Sequence, residues 1–523
     1  MMRRTLCGVA VAAAVLGMSS GRGTLAASSC TGLAALTIPG VTINAATPVA
    51  AGTLLLPGVQ NANTLPAFCR VEATARPTSD SEIKFEVWIP PVDAWNGKFQ
   101  GVGNGGYQGS ISYAAMGTAL RRGYATASTD TGHTGDDVIF GQGHPEKVID
   151  YGWRAVHVMT DTSKLVIRNA QGKFADKSYF VGCSAGGHQA MSEAQRFPDD
   201  YDGIIAGAPA NNRIRQTFGF MWSWLATHTP DGAPILTAPK LALVTKAVVA
   251  ACDAGDGLKD GLVDDPRKCA FDPATLLCKA GADDATCLSQ PQVDAVKKVY
   301  DGAKSPKTRE QIFTGWPRGS ENFGESAIMG WRQYITDMKE PSRVGVFKYF
   351  LFHDPNWDVR TLDFDRDLAY ADERLPFLHA ASRDLSAFKK RGGKLISYAG
   401  WMDPVVPPQD TAAYYEGVAR LMGGHDRTRD FYRLFIAPGM GHCSGGPGPN
   451  TFDAVGALEA WVEKGQAPDK LIATHSTAGK VDRSRPLCPY PQVARYLGKG
   501  SIDDAANFTC VAPTAARTST APQ

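Results

Sequence analysis

A serine attacks a carbonyl only when a base takes its proton and its oxygen stands clear of the backbone. The segment Gly182-Cys183-Ser184-Ala185-Gly186 has the form G-x-S-x-G. It lies between an apolar run read as a strand, Ser178–Val181, and a stretch with helical spacing, Gly186–Phe197. In a tight strand-to-helix turn the glycines keep side chains away, and Ser184 Oγ projects from the strand's end. The amide of Ala185, at the helix start, then points to where negative charge develops on a substrate oxygen. A purely structural turn could carry the same five residues, so the reading needs a base and an acid as well.

Both are found downstream, in the order Ser, Asp, His that this turn type uses. The strand-like run from Ile396 ends in a loop carrying Asp403, and the run from Leu434 ends in a glycine-rich loop carrying His442. A helix over Asp410–Leu421 fits between them. Asp403 precedes Pro404 and could simply open a turn. His133 and His188 are rival bases, but His133 precedes the serine and His188 lies on the helix after it. A second oxyanion donor is expected from Gly103-Asn104-Gly105-Gly106, through the amide of Gly105 or Gly106; a plain tight turn is the alternative.

Cysteines constrain the arrangement further. There are eleven, and Cys7 lies in a leader-like amino terminus, which leaves ten, an even number suited to an oxidising compartment. Connectivity does not follow from sequence, but nearest-neighbour pairing suggests Cys30–Cys69, Cys252–Cys269, Cys278–Cys287 and Cys488–Cys510. Cys183 and Cys443 remain, one before Ser184 and one after His442. A bridge holds its Cα atoms roughly 4.4–6.8 Å apart, and would bring nucleophile and base together. Two free, buried cysteines are the other possibility.

The elements around these residues alternate strand and helix, which indicates a parallel α/β sheet. Strands are expected at Glu82–Ile89 (half-buried), Phe99–Val102, Tyr124–Ser128, Ser178–Val181, Gly203–Ala206, Lys394–Tyr398 and Arg433–Ile436. Helices are expected at Val156–Arg168, Gly186–Phe197 and Phe452–Lys464. Residues 28–80 read as an irregular entry segment with short strands. Residues 211–383, rich in aromatics and turns, read as an insertion that would divide the core into 28–210 and 384–523. Arg3, Arg4, a short apolar stretch and Ala26-Ala27 make 1–27 a secretory signal, so the mature chain would be secreted or periplasmic, with no membrane span. Of the 523 residues, 43% are hydrophobic and 20% charged, as in an ordinary globular protein, and the net charge of +2 with no basic stripe disfavours a nucleic-acid partner. Within the insertion, Asp253, Asp256 and Asp260 recur among glycines between Cys252 and Cys269. Such hard oxygens suit Ca²⁺, without EF-hand register, although a solvated acidic turn would look alike.

Together these features resemble the tannase and feruloyl esterase family, through Cys183-Ser184, Asp403 and His442-Cys443 above all. Ser128–His133, Asp354–Trp357 and the acidic loop look like family segments too. The resemblance implies an α/β-hydrolase core with a large inserted lid, and a structural lid calcium held by Asp253, Asp256, Asp260 and the carbonyls of Leu258 and Leu262. It also implies a secreted serine carboxylesterase acting on feruloyl, hydroxycinnamoyl or galloyl esters. The family includes the hydrolase of mono(2-hydroxyethyl) terephthalate, which has a glutamate where this chain has Ala185. That enzyme's carboxylate-binding arginine has no clear counterpart here; Arg343 and Arg360 are arginines of the insertion. A catalytically silent binding protein for phenolic esters and a secreted serine peptidase are the readings from other classes.

Overall fold

The structure is a computed structural model that describes residues 27–54, 56, 64–279, 284–326 and 328–513. The expected signal segment lies outside them except for Ala27. Nine strands form one sheet: β1 (Val41–Val49), β2 (Phe68–Ala75), β3 (Ile83–Ile89), β4 (Lys98–Val102), β5 (Ala125–Thr129), β6 (Lys177–Cys183), β7 (Gly203–Gly207), β8 (Lys394–Gly400) and β9 (Tyr432–Ala437). Their spatial order is β1-β2-β3-β5-β4-β6-β7-β8-β9. The six strands from β5 to β9 run parallel, while β1, β2 and β3 are antiparallel, so the sheet is mixed rather than wholly parallel.

Adjacent residues on the parallel strands are apolar because both faces are covered. Phe180, Ile204, Leu395 and Leu434 pack on one face, with helices Ala155–Gln171, Ala185–Arg196 and Pro408–Leu421. Their neighbours Tyr179, Ile205, Ile396 and Phe435 pack on the other, with helices Tyr113–Arg121 and Ala454–Lys464. β3 departs from the half-buried expectation. Its outward Trp88 is fully buried and Glu86 nearly so. Glu86 accepts bonds from Arg70 (2.6 and 2.8 Å), Trp88 Nε1 (2.8 Å) and Tyr113 Oη (2.8 Å), which is how a carboxylate sits inside a covered strand. The entry segment is also more regular than expected, since β1 and β2 pair along most of their length.

Between β7 and β8 the chain builds a second core from Phe218, Phe220, Trp224, Trp316, Trp331 and Phe347. Among the described residues there are five disulfides: Cys30–Cys69, Cys183–Cys443, Cys252–Cys269, Cys278–Cys287 and Cys488–Cys510. Among the described residues, no helix is long and apolar enough to cross a membrane.

Candidate active site

From β4 the chain crosses to β5 on one side and then to β6 on the other, so the strand order reverses between β4 and β6. The crevice at the carboxyl ends of such a pair is where open α/β sheets bind ligands. Val102 pairs with Val181, and this sets the Gly103–Gly106 loop beside the turn after β6.

That turn is tight. Ser184 has φ 63° and ψ −119°, in the left-handed region that a non-glycine residue seldom occupies. Its N–H donates to Gly207 O at 2.9 Å. A Cβ at Gly182 would lie 2.3 Å from Gly186 O, and one at Gly187 would lie 2.2 Å from Gly207 O, so side chains at either position would break the turn.

Ser184 Oγ lies 2.8 Å from His442 Nε2, and His442 Nδ1 lies 2.8 Å from Asp403 Oδ2. A carboxylate only accepts, so Nδ1 carries the ring proton and Nε2 is left to accept from the serine hydroxyl. Asp403 is fully buried, and its other oxygen accepts from the amides of Val405 (2.7 Å) and Val406 (2.9 Å). One carboxylate oxygen of Asp403 thus serves the turn and the other meets the imidazole. The Cys183–Cys443 bridge sits beneath the group with its Cα atoms 6.0 Å apart, packed against Ala208, Ala210 and Val405.

The rival histidines are elsewhere. His188 is buried and donates from Nε2 to Leu378 O at 2.9 Å. His133 is bonded to Tyr107 O through Nε2 at 2.6 Å. Burial lowers the pKa of both rings.

The amides of the glycine loop are unequally engaged. Gly103 N donates to Val181 O at 3.0 Å and Asn104 N to Gln189 Oε1 at 3.0 Å. Gly105 N faces Gln108 Oε1 at 3.4 Å, and Tyr107 N donates to Asp136 Oδ1 at 3.2 Å. Of this run, the Gly106 amide is the one that none of these acceptors takes up. Gly106, Ser184 and His442 share a cavity of about 980 Å³, walled by Tyr107, Tyr334 and Arg343. Ala185 begins the helix, where backbone N–H groups have no partner within the helix.

Arg343 and Arg360 differ in placement. Arg343 has φ 69°, its Nε is buried without a hydrogen-bond partner among the described residues, and its guanidinium lies 5.3 Å from the Tyr107 ring. Arg360 sits in a separate cleft with Trp224 and Trp357. Nothing in the sequence around Arg343 marks it as a cavity residue, because its segment carries no motif and reaches the site from the second core.

In the acidic loop the side chains curl onto their own backbone. Asp253 Oδ1 accepts from Asp260 N (3.0 Å) and Gly261 N (3.1 Å), Asp256 Oδ1 from Leu258 N (2.9 Å), and Asp260 Oδ1 from Leu262 N (3.2 Å). Asp260 Oδ2 also pairs with buried Arg485 at 2.8 Å. The donor set is all oxygen, and the two flanking thiols are spent on each other, a composition that fits a hard divalent cation.

An α/β-hydrolase fold brings a serine, an imidazole and a buried carboxylate into line at the sheet's carboxyl edge, an arrangement with the geometry for ester hydrolysis. The comparisons narrow this. Residues 69–511 match the model of the family described as tannase and feruloyl esterase. An uncharacterized esterase of Xanthomonas campestris is 40% identical, with 93% of this chain and 92% of that protein covered. The mono(2-hydroxyethyl) terephthalate hydrolase of Piscinibacter sakaiensis is 36% identical, with coverage of 90% and 89%. The crystal structure of feruloyl esterase B from Aspergillus oryzae superposes with a TM-score of 0.84 at 30% identity, over 91% of this chain and 98% of that one. The chain belongs to the tannase and feruloyl esterase family and is a carboxylic ester hydrolase.

Proposed function

We propose that the protein is a secreted or periplasmic serine esterase that hydrolyses esters of aromatic acids, with hydroxycinnamoyl or galloyl esters as substrates. One observation carries this reading: the unbroken line from Ser184 Oγ through His442 to Asp403, with 2.8 Å at each link. In the proposed reaction Ser184 Oγ attacks the ester carbonyl while His442 Nε2 takes its proton. Asp403 holds the imidazolium. The amides of Ala185 and Gly106 receive the oxyanion, Gly106 being preferred to Gly105 because the latter's amide faces Gln108. The C–O bond to the alcohol breaks as His442 returns the proton to the leaving oxygen. Water, deprotonated by the same imidazole, then attacks the acyl carbon; the bond to Ser184 Oγ breaks, the acid leaves, and His442 returns the proton to Oγ. Tyr107 and Tyr334 in the cavity wall suit an aromatic acyl group.

The test is labelling by a serine-directed phosphonate, located by peptide mapping, with rates on methyl ferulate, methyl gallate, chlorogenate and the terephthalate monoester. Adduct at Ser184 with turnover of the first three supports the reading. Labelling elsewhere, or turnover of peptide amides in preference to aryl esters, overturns it. A second reading, hydrolysis of a terephthalate monoester, draws on the relative from Piscinibacter and on Arg343, whose cation faces the cavity; Ala185 in place of glutamate weighs against it.

For the acidic loop we propose a structural calcium ion, held by carboxylates of Asp253, Asp256 and Asp260 and carbonyls of Leu258 and Leu262. When bound it supplies charge neutralisation to a loop of the second core and takes no part in the chemistry.

A further inference from the structure

We propose that Arg213, acting with Tyr151 and His133, is a positioning residue that holds the glycine loop in the form that receives the oxyanion. The inference rests on the reading of Ser184 as nucleophile and extends it to residues that touch neither substrate nor the reacting atoms.

Gly106 restricts its own ψ little, so the peptide that follows it, Gly106–Tyr107, can rotate at lower cost than one that follows a residue with a side chain. A flip that turned the Gly106 carbonyl into the cavity would present a negative dipole where negative charge must develop. Four groups oppose this. Tyr151 Oη donates to Gly106 O at 2.9 Å, and Arg213 Nη2 donates to the same oxygen at 3.0 Å. Arg213 Nη2 also contacts Tyr151 Oη, closing a triangle of bonds over the carbonyl. The same peptide is held at its other end, where Tyr107 N donates to Asp136. One residue on, the Tyr107 carbonyl accepts from His133 Nε2 at 2.6 Å. His133 is stacked on Phe140 with ring centroids 3.8 Å apart, and its Nδ1 lies 3.2 Å from Thr131 Oγ1, so the ring's orientation is fixed.

Arg213, Tyr151 and His133 are each set by a different element. Arg213 is the first residue of the helix Arg213–Thr227, is nearly buried, and lies over the rings of Tyr107 (5.3 Å) and Tyr151 (5.0 Å). Tyr151 belongs to a π-helical turn, Asp150–Arg154, at the head of the long helix that follows; such turns are rare and recur at functional sites. His133 lies in the turn that follows β5. A charged donor on a carbonyl is stronger than a neutral one, so Arg213 is the dominant member.

The test compares Arg213→Gln, Arg213→Lys and Tyr151→Phe with the parent enzyme on an aryl ester. Arg213→Gln is expected to lower kcat by about tenfold to a hundredfold, less than the roughly hundredfold to thousandfold loss of removing an oxyanion donor outright, with KM nearly unchanged. Affinity for a boronate that forms a tetrahedral serine adduct falls by the same factor, and affinity for the product acid stays level. Arg213→Lys recovers part of the loss. Full kcat in a folded Arg213→Gln enzyme, or equal losses for boronate and product acid, overturns the proposal. Should Arg213→Gln not fold, Tyr151→Phe decides alone, since it removes only a hydroxyl: an unchanged kcat overturns the proposal. Ser184→Ala in the same series separates the layers. Activity retained there removes the nucleophile reading and this inference with it; an inactive Ser184→Ala beside a fully active Arg213→Gln removes this inference only.

Discussion

Cys183 and Cys443 are 260 positions apart in sequence and 6.0 Å apart at Cα, and each is the chain neighbour of a residue at the site, Ser184 and His442. The bridge therefore ties the turn after β6 to the loop after β9 across two intervening strands. Cys443 has φ 63° and Ser184 has the same value, so both loops depart from common backbone geometry where they meet.

Breaking this bridge reduces activity more than it reduces folding. The chain-entropy model assigns so long a loop at most roughly 5 kcal/mol, and residual native contacts lower that figure. The sheet still brings β6 and β9 near each other, but without the bridge the 2.8 Å contact between Ser184 Oγ and His442 Nε2 is held by Asp403 alone. A Cys183→Ser, Cys443→Ser double variant is expected to keep the circular dichroism of the parent and lose at least about tenfold in kcat, the scale on which small misplacements act. A double variant with full kcat removes the bridge from the account of the site.

Asp403→Asn should preserve the turn and abolish the chemistry. Its Oδ1 can still accept from Val405 and Val406, but its amide donates to His442 Nδ1 and leaves the ring proton on Nε2, facing the serine. In that tautomer the imidazole cannot take the hydroxyl's proton, and the loss expected is roughly ten-thousand-fold in kcat with a near-parental melting temperature. A loss below tenfold would remove Asp403 from the proposed mechanism.

What could be read from the sequence was what local pattern encodes. The G-x-S-x-G turn announces itself because strand, glycine and helix must all agree within a few residues. Asp403 and His442 follow from strand-like runs that end in loops. Arg213, Tyr151 and Arg343 carry no such mark: each reaches the site singly, from a helix start, a π-helical turn and a left-handed residue, and only the tertiary fold makes them neighbours. β1 was illegible for another reason. It is an edge strand with mixed polarity, Thr42, Asn44 and Thr47 among apolar residues, and the register shifts between Ile43 and Ala45, which breaks the alternation that reveals a strand. Glu86 misled in the opposite sense, since a carboxylate suggests an exposed face unless its four donors are known.

Chelation tests the proposed calcium separately from catalysis. A cation bound to the folded chain and not to the unfolded one stabilises by about 2.7 kcal/mol when free at a hundred times its Kd. Removing it with a chelator should lower the melting temperature, and adding Ca²⁺ back, but not Mg²⁺, should restore it. Asp256→Asn should show the lower value with or without chelator. A melting temperature indifferent to chelator refutes a structural metal.

Asp130 makes stability depend on pH. Burial pushes its carboxyl up to about 7, although its Oδ1 accepts from Lys84 N (2.9 Å) and Gly132 N (2.8 Å). In the unfolded chain it releases its proton near about 3.9. Between these values the folded state holds the extra proton, so stability falls as pH rises through roughly 4 to 7 and levels off above. Asp130→Asn keeps the acceptor and removes the proton. The difference in unfolding free energy between parent and variant, from urea titrations across that range, should slope in favour of the variant as pH rises. Parallel curves would show that the carboxyl ionises alike in both states.

Arg343 offers the sharpest discrimination among substrates. Its guanidinium lines the cavity that holds Ser184, its Nε has no hydrogen-bond partner among the described residues, and the rings of Tyr107 and Phe220 lie 5.3 and 5.5 Å away without neutralising its charge. A partly buried cation in this state favours an acyl group with an acceptor or a carboxylate at its far end over one that ends in hydrogen. Arg343→Met keeps the volume and removes the charge. It should raise KM for methyl ferulate and the terephthalate monoester by about tenfold or more while leaving methyl benzoate unaffected, the scale of one charge-assisted hydrogen bond. Equal changes for all three esters would mean that Arg343 shapes the cavity wall and recognises nothing, and the terephthalate reading would then lose the one side chain on which it stands.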